Sequence, residues 1–440
     1  MPSRRSSLIW LFDKEWRELM ASRAWWVLLL AMGPLVGISF IDAVRIYGEA
    51  SGLHGTSTGV GEAFSPLVGI WAPTFSSCEL AAAFLLPFVG IRLMAGDRQN
   101  GVLKLELQHP TPAVFRIGMK MLVLMAGWLI ALIPAAATIA LWKGYGGSVY
   151  SPEVATVAFG HLLNAGLTIA LALAIASFTE HPATAAILAL TVTVGTWILN
   201  FVAAVHGGVW ERAAAYTPTA LVAQFQHGLI RLDVTLIALA LIAGGLGLAA
   251  IWIRLGLAVR RRIAESLVLV LAVAVVIFAC TFVRPSWDMS ENRMNSFSEA
   301  DEAALAGIHN LRIEAHLAPE DGRRTDLEQH ALVKLRRIMP GLRVDYVSAT
   351  SVGLFEQTTE HYGEIWYELG ARKTVSRITS AEGVIEKIYE IAGVTPPPEN
   401  ETDLFRGHPL AARPTGAALV FYFIWPGLVA PGAFFIWRKR

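Results

Sequence analysis

Charge is what this sequence has least of. Asp, Glu, Lys and Arg make up only 16% of its 440 residues, against 54% hydrophobic, where soluble domains carry roughly a quarter charged residues. A soluble core cannot absorb that much apolar surface, but a bilayer can. The formal net charge of +1 gives no overall bias towards nucleic acid or acidic ligands, and no nucleic acid is expected among the partners. Cysteine is nearly absent. Cys78 and Cys280 both sit inside apolar stretches, which suits buried small side chains, and two thiols alone do not make a disulfide framework or a metal site. No G-x-x-x-x-G-K-[ST] or H-E-x-x-H motif occurs, so no phosphate-cradling loop and no zinc-protease helix are expected. The start Ser3-Arg4-Arg5-Ser6-Ser7-Leu8 imitates a twin-arginine signal, but Asp13, Lys14, Glu15 and Arg17 follow where an apolar region would be needed.

What is abundant is long apolar sequence. A bilayer core about 30 Å thick takes about 20 residues of helix. Eight stretches meet or approach that length: Ala24–Ile46, Pro73–Met94, Met119–Trp142, Val157–Phe178, Ala183–Val205, Val234–Ile253, Ser266–Val283 and Thr415–Trp437. Thr179-Glu180-His181-Pro182 is too short for anything but a tight turn, because Pro182 cannot continue the helix before it. Ahead of the first stretch, Leu8–Met20 places Leu8, Phe12, Trp16 and Leu19 against Lys14, Glu15, Arg17 and Glu18, the pattern of a helix lying in the membrane interface. This predicts residues 1–23 as an interfacial helix and 24–255 as a six-span domain. A basic loop with a seventh span follows over 256–283, and an eighth span with a basic tail over 415–440.

Lysine and arginine set the orientation. They cluster at Arg4, Arg5, Lys14, Arg17 and Arg23, at Arg92, Arg98, Lys104, Arg116 and Lys120, at Arg254 and Arg260–Arg262, and at Arg438–Arg440, while the alternate connections are nearly bare. With eight spans, both termini then face the cytoplasm and residues 284–414 lie outside. That segment of roughly 130 residues suffices for a small domain. It reads as α/β: strands at Leu311–Leu317 and Leu342–Val347, a helix over Asp326–Arg337, a hairpin of Glu364–Leu369 and Lys373–Ile378 about Gly370-Ala371-Arg372, and a helix over Ala381–Ile391 stopped by Gly393. The expected fold is thus an α-helical integral membrane protein of about eight transmembrane helices, with an α/β domain inserted between the last two.

Enzyme-like motifs dissolve on inspection. Gly55-Thr56-Ser57-Thr58-Gly59 matches a nucleophile elbow but has no strand before it, and Gly245-Leu246-Gly247 lies inside a span, where small residues let helices approach. No catalytic set is expected. His309, His316, His330 and His361 would form a metal site only if the fold gathered them. Polar groups within apolar spans carry more weight, because they are expensive in lipid. Glu79, His161 and Asn164 are candidates for a transport path or for bonds between helices, and His161 and Asn164 share one helix face.

The connection between the second and third spans holds apolar Val102, Leu103, Leu105 and Leu107 among charges, too polar to enter lipid and too apolar to stay bare. A partner protein docking on Asp97, Arg98, Asn100, Gly101, Val102, Leu103, Leu105 and Glu106 would cover them. Asn100–Leu105, Pro110, Pro112 and Lys120 resemble the signature of permease subunits of type-2 ABC exporters, with Val102 where Thr is frequent and Met119 between Gly118 and Lys120. Thr217-Pro218 through Phe225, Gly228, Leu229, Ile230 and Asp233 are similar to that family's external re-entrant helices. Trp287–Ser298, with Phe297 where Leu is usual, resembles the opening motif of the auxiliary protein of gliding-motility-type ABC transporters, here shortened. The resemblance implies a non-enzymatic permease in a bacterial inner membrane. It would work as a homodimer within membrane lipid, with a separate dimeric ATPase subunit that carries ATP and Mg, and its periplasmic domain would bind a substrate or a partner protein. The alternative is an ATP-driven mechanical or scaffolding complex that moves no solute.

Overall fold

A computed structural model describes residues 4–53, 64–99, 111–206, 209–214, 216–254, 256–318, 321–339, 341–347, 361–397, 405 and 407–438. The expected docking residues Asn100, Gly101, Val102, Leu103, Leu105 and Glu106, and the motif at residues 55–59, lie outside them. The chain forms two compact units, one of Met1–Asn200, Ala213–Trp287 and Gly407–Arg440, the other of Phe201–Arg212 and Asp288–Arg406.

Among the described residues, eight helices are long and apolar enough to cross a membrane: Arg23–Gly52, Leu67–Asp97, Ala113–Gly144, Ser151–Phe178, Pro182–Ala203, Leu232–Ile253, Val259–Cys280 and Ala417–Ile436. Several outrun the apolar stretches that announce them. The second span begins at Leu67 rather than Pro73, because Pro73 occupies the first turn of its α-helix and a wider π turn over Leu67–Trp71 feeds into it. The seventh begins at Val259 rather than Ser266. Its leading turns hold Arg260, Arg261 and Arg262, and Glu265 accepts from Arg261 one turn back and from Arg254, so the helix starts ahead of the continuous apolar run. The second and fourth spans are the most enclosed, with 72% and 67% of their apolar windows buried, whereas the fifth and seventh bury 17% and 6% and present most of their surface outward.

The eighth span packs on the first through small residues. A Cβ on Gly37 would stand 2.5 Å from Phe421 Cβ, and one on Gly33 2.5 Å from the Trp425 ring. Only glycine admits these rings, and the approach lets Trp425 Nε1 donate to the Leu29 carbonyl at 2.7 Å. Towards the far end of the first span, the Tyr47 hydroxyl lies 2.7 Å from the Phe64 carbonyl and 2.8 Å from the His408 carbonyl, a proton shared between two acceptors.

Helix α1 spans Arg4–Ala21. Its inward stripe is Leu11, Glu15 and Leu19, all buried, which corrects the expected polar face: Glu15 and Lys14 turn inward rather than to solvent, while Arg17 is exposed as expected. Leu19 takes its place because Gly127 leaves room for it: a Cβ there would meet Leu19 Cδ2 at 2.8 Å.

The second unit is built on four strands, β1 (Leu311–Ala315), β2 (Arg343–Tyr346), β3 (Ile365–Leu369) and β4 (Arg372–Ser376), in the order β2-β1-β3-β4. β1 pairs parallel with β2 and antiparallel with β3, and β3 pairs antiparallel with β4. A parallel pair needs a crossover, and helical residues 322–338 supply it. Alternation in β1 buries Leu311, Ile313 and Ala315 against Leu327, Leu332 and Leu335 of that crossover and against Val384 and Ile388 of α2 (Ala381–Ala392). Gly370 opens the two-residue hairpin turn at φ 63°, and Gly393 caps α2 at φ 69°. The stretch after Trp287 is organised by one side chain. The Asp288 carboxylate accepts from the Ser290 amide and hydroxyl, the Asn295 amide and side chain, and the Ser296 hydroxyl. Ser298 then caps the following helix, accepting from the Asp301 amide.

Candidate functional site

Three elements meet where the second span ends and the third begins: α1, the turn ending at Gln99, and the turns after Pro112. Lys120 lies at their junction, 2% exposed. Its ammonium donates to Glu15 Oε2 at 2.7 Å and to Asp97 Oδ2 at 2.5 Å. Lys14 donates to the other Asp97 oxygen at 2.8 Å and lies 3.2 Å from Glu15 and 3.3 Å from Glu18. Glu15 and Asp97 are each 1% exposed. Each buried carboxylate therefore touches both lysines, which is the condition under which buried charge is tolerated. Beside them, burial, reinforced by the Asp97 charge, pushes the Glu18 carboxyl up to about 7 against the pull of Lys120 and Lys14.

The carboxylates of Glu15, Glu18 and Asp97 approach within 4.8 Å of one another, close enough for a metal ion. The two ammonium groups already hold these oxygens, so the set works as an ion-pair joint. Asp97, expected in the docking set, faces inward and is held by Lys14 and Lys120. Lys120, counted there among the charges of the basic connection, is buried. On the far flank, Arg116 Nε donates to Thr111 Oγ1 at 2.9 Å, and Arg116 is 3% exposed. Asp97 before residues 100–110 and Thr111 after them are each held by a side-chain hydrogen bond. Arg98 continues the second span's helix.

The three polar residues of the spans converge on a second place, the short helix Pro218–Gln226. Glu79 lies beside the side chains of Thr219, on that helix, and Trp197, on the fifth span. Gln226 Nε2, at the helix end, lies 3.4 Å from His161 Nε2, and the Phe75 ring packs 5.5 Å from His161. Asn164 lines the helix underside with Gly160, Leu163, Leu221 and Phe225. A Cβ on Gly160 would stand 2.4 Å from Phe225 Cβ, so glycine is what admits Phe225. The helix begins where Thr217 accepts from the Ala220 amide, while Asn200 Nδ2 donates to the Thr217 hydroxyl. About 10 Å³ of space remains there, room for about one water. Glu79 Oε1 and His161 Nδ1 are buried without a partner among the described residues.

Of the four domain histidines, only His316 and His361 come into ring contact, at 6.2 Å, with Trp366 between 5.5 and 6.1 Å from each. Their near partners are carboxylates, Glu314 at 3.3 Å from His316 and Glu364 at 3.0 Å from His361.

Compared with family models, curated proteins and solved structures, the chain matches none.

Proposed function

We propose that this chain is the transmembrane subunit of a bacterial ABC exporter, a homodimer in the inner membrane driven by a separate pair of ATPase subunits that hold ATP and Mg. Its termini face the cytoplasm, and residues 284–414 form a periplasmic domain that binds a substrate or partner. The observation that carries the reading is the joint of Lys14, Glu15, Asp97 and Lys120. A stroke delivered to the connection after Asp97 needs a stiff mounting. Breaking one partner of a buried ion pair costs about 3–5 kcal/mol, so such a joint transmits displacement rather than yielding to it. The mounting links the candidate docking segment to α1 and to two spans at once. The outward surfaces of the fifth and seventh spans leave room for the second copy and for lipid.

The test is Leu103→Asp. If residues 100–107 dock the ATPase, this change removes an apolar anchor, worth about 2 kcal/mol or more, and places an unpaired carboxylate in the interface. ATPase recovered per permease should fall at least tenfold, while Lys104→Ala leaves it within twofold. Wild-type recovery with Leu103→Asp overturns the docking assignment.

One observation favours the mechanical alternative. The space beside Asn164 amounts to about one water, too little for a solute path at that place. Proteoliposomes of the assembled complex distinguish the readings, since a mechanical complex hydrolyses ATP in response to the domain's partner without solute flux.

A further inference from the structure

A second feature depends only on the chain's being embedded in a bilayer. A cleft of about 630 Å³ opens between the start of the first span, the end of the second and the start of the fifth. Arg23 and Arg92 enter it from opposite helices, and Phe88, Ile91, Ala183 and Ala186 form its apolar wall. Both arginines are exposed, and neither pairs with a carboxylate among the described residues. Other arginines near span ends do find one: Arg45 takes Asp42, and Arg254 and Arg261 share Glu265. Two unneutralised guanidinium groups beside a greasy wall leave an anion-shaped requirement.

Depth narrows the occupant. Arg92 precedes the end of its helix at Gln99 by seven residues, about 10 Å along the axis, near the level where headgroups give way to acyl chains. Phe88 is 38% exposed at the outer wall, so the cleft opens sideways. A guanidinium offers paired N–H groups that match phosphate oxygens, and basic pockets between helices hold anionic headgroups. We infer that this cleft seats an anionic phospholipid, its phosphate between Arg23 and Arg92 and one acyl chain along Phe88, Ile91 and Ala186. A free phosphate would meet the two charges but gain nothing from the wall, and a neutral lipid would meet the wall but leave the charges bare.

The test uses the full chain in detergent, titrated with short-chain phosphatidylglycerol, diacylglycerol or inorganic phosphate and read by native mass spectrometry. Phosphatidylglycerol should bind the wild type at least tenfold more tightly than Arg23→Gln/Arg92→Gln, and the other two probes should bind neither. Arg45→Gln, at the opposite end of the first span, should bind as the wild type does. Ala186→Phe keeps both charges but fills the wall and should lose the lipid equally; it decides the matter if the double variant does not fold. Undiminished phosphatidylglycerol binding by the double variant, or by Ala186→Phe, overturns the seat. Diacylglycerol binding as tightly reduces the cleft to an apolar groove, and phosphate binding as tightly makes it a free-anion site; either result refutes the lipid assignment.

Discussion

Lys120 and Glu15 stand 105 residues apart in the chain, yet the ammonium of one lies 2.7 Å from the carboxylate of the other. Through Asp97 and Lys14 the same contact continues into the second span. Three helices are joined here by charge as well as by the apolar seating of Leu19 against Gly127. The joint is therefore selective in a way that apolar packing is not, since each member has one set of partners that satisfies it.

Lys120→Met should lower stability by about 3–5 kcal/mol, because it leaves Glu15 and Asp97 buried with Lys14 alone. Adding Glu15→Leu should recover part of that loss, since apolar replacement of both partners removes the uncompensated charge. A double-mutant cycle on thermal midpoints of the purified chain measures the coupling. Strictly additive losses would show that the two side chains do not act as a unit.

Glu18 gives the joint a pH dependence of known sign. Its carboxyl is pushed from 4.5 up to about 7 in the folded chain, so it favours folding fully below about 4.5 and loses that contribution as pH rises through about 7. Glu18→Gln should flatten this slope and raise the thermal midpoint at pH 8 relative to wild type, with little change at pH 4.5. An identical slope in both proteins would assign the dependence elsewhere.

Asp288 has the opposite sign. Burial disfavours its charge, but the hydroxyls of Ser290 and Ser296, the Ser290 amide and Asn295 outweigh that and hold its carboxyl below the usual range. Its contribution is complete above the ordinary carboxylate value and fades as pH falls through the lowered one. Asp288→Ala should cost the second unit about 2 kcal/mol or more at neutral pH, from lost hydrogen bonds to a charged acceptor. Limited proteolysis between Asp288 and Arg406 would report the loss, and unchanged protection would deny the side chain its organising role.

Sidedness is tested by single cysteines at exposed positions. Thr325→Cys should react with an impermeant thiol reagent in intact spheroplasts, and Asp13→Cys only after lysis. The reverse pattern would invert the topology, and with it the placement of every connection.

Much of this architecture is legible in the sequence because a bilayer demands long apolar runs and a sheet demands alternation. The eight spans, the β3–β4 hairpin about Gly370 and the helix stopped by Gly393 all follow from local pattern. The joint does not. Lys120 reads as one more cation in a basic connection, because the carboxylates that permit its burial lie 23 and 105 residues away. The amphipathic pattern of α1 sends Glu15 to water for the same reason: periodicity separates polar from apolar residues but cannot see a buried partner. Glu79, His161 and Asn164 stand out as costly, yet their meeting on one short helix depends on how the second, fourth and fifth spans pack, which no single span encodes.

The close seating of the first span on the last has a consequence for how the protein is made. Leu29 and Trp425, joined by a hydrogen bond, lie 396 residues apart. At about 5–20 residues per second, the ribosome needs roughly 20–80 s between them. Throughout that interval the glycine groove at Gly33 and Gly37 is open to the membrane, and residues 284–414 must emerge before anything fills it. Assembly of the first span is therefore completed only by the eighth, so a chain that stalls within the inserted segment leaves the first span unfinished and recognisable as such.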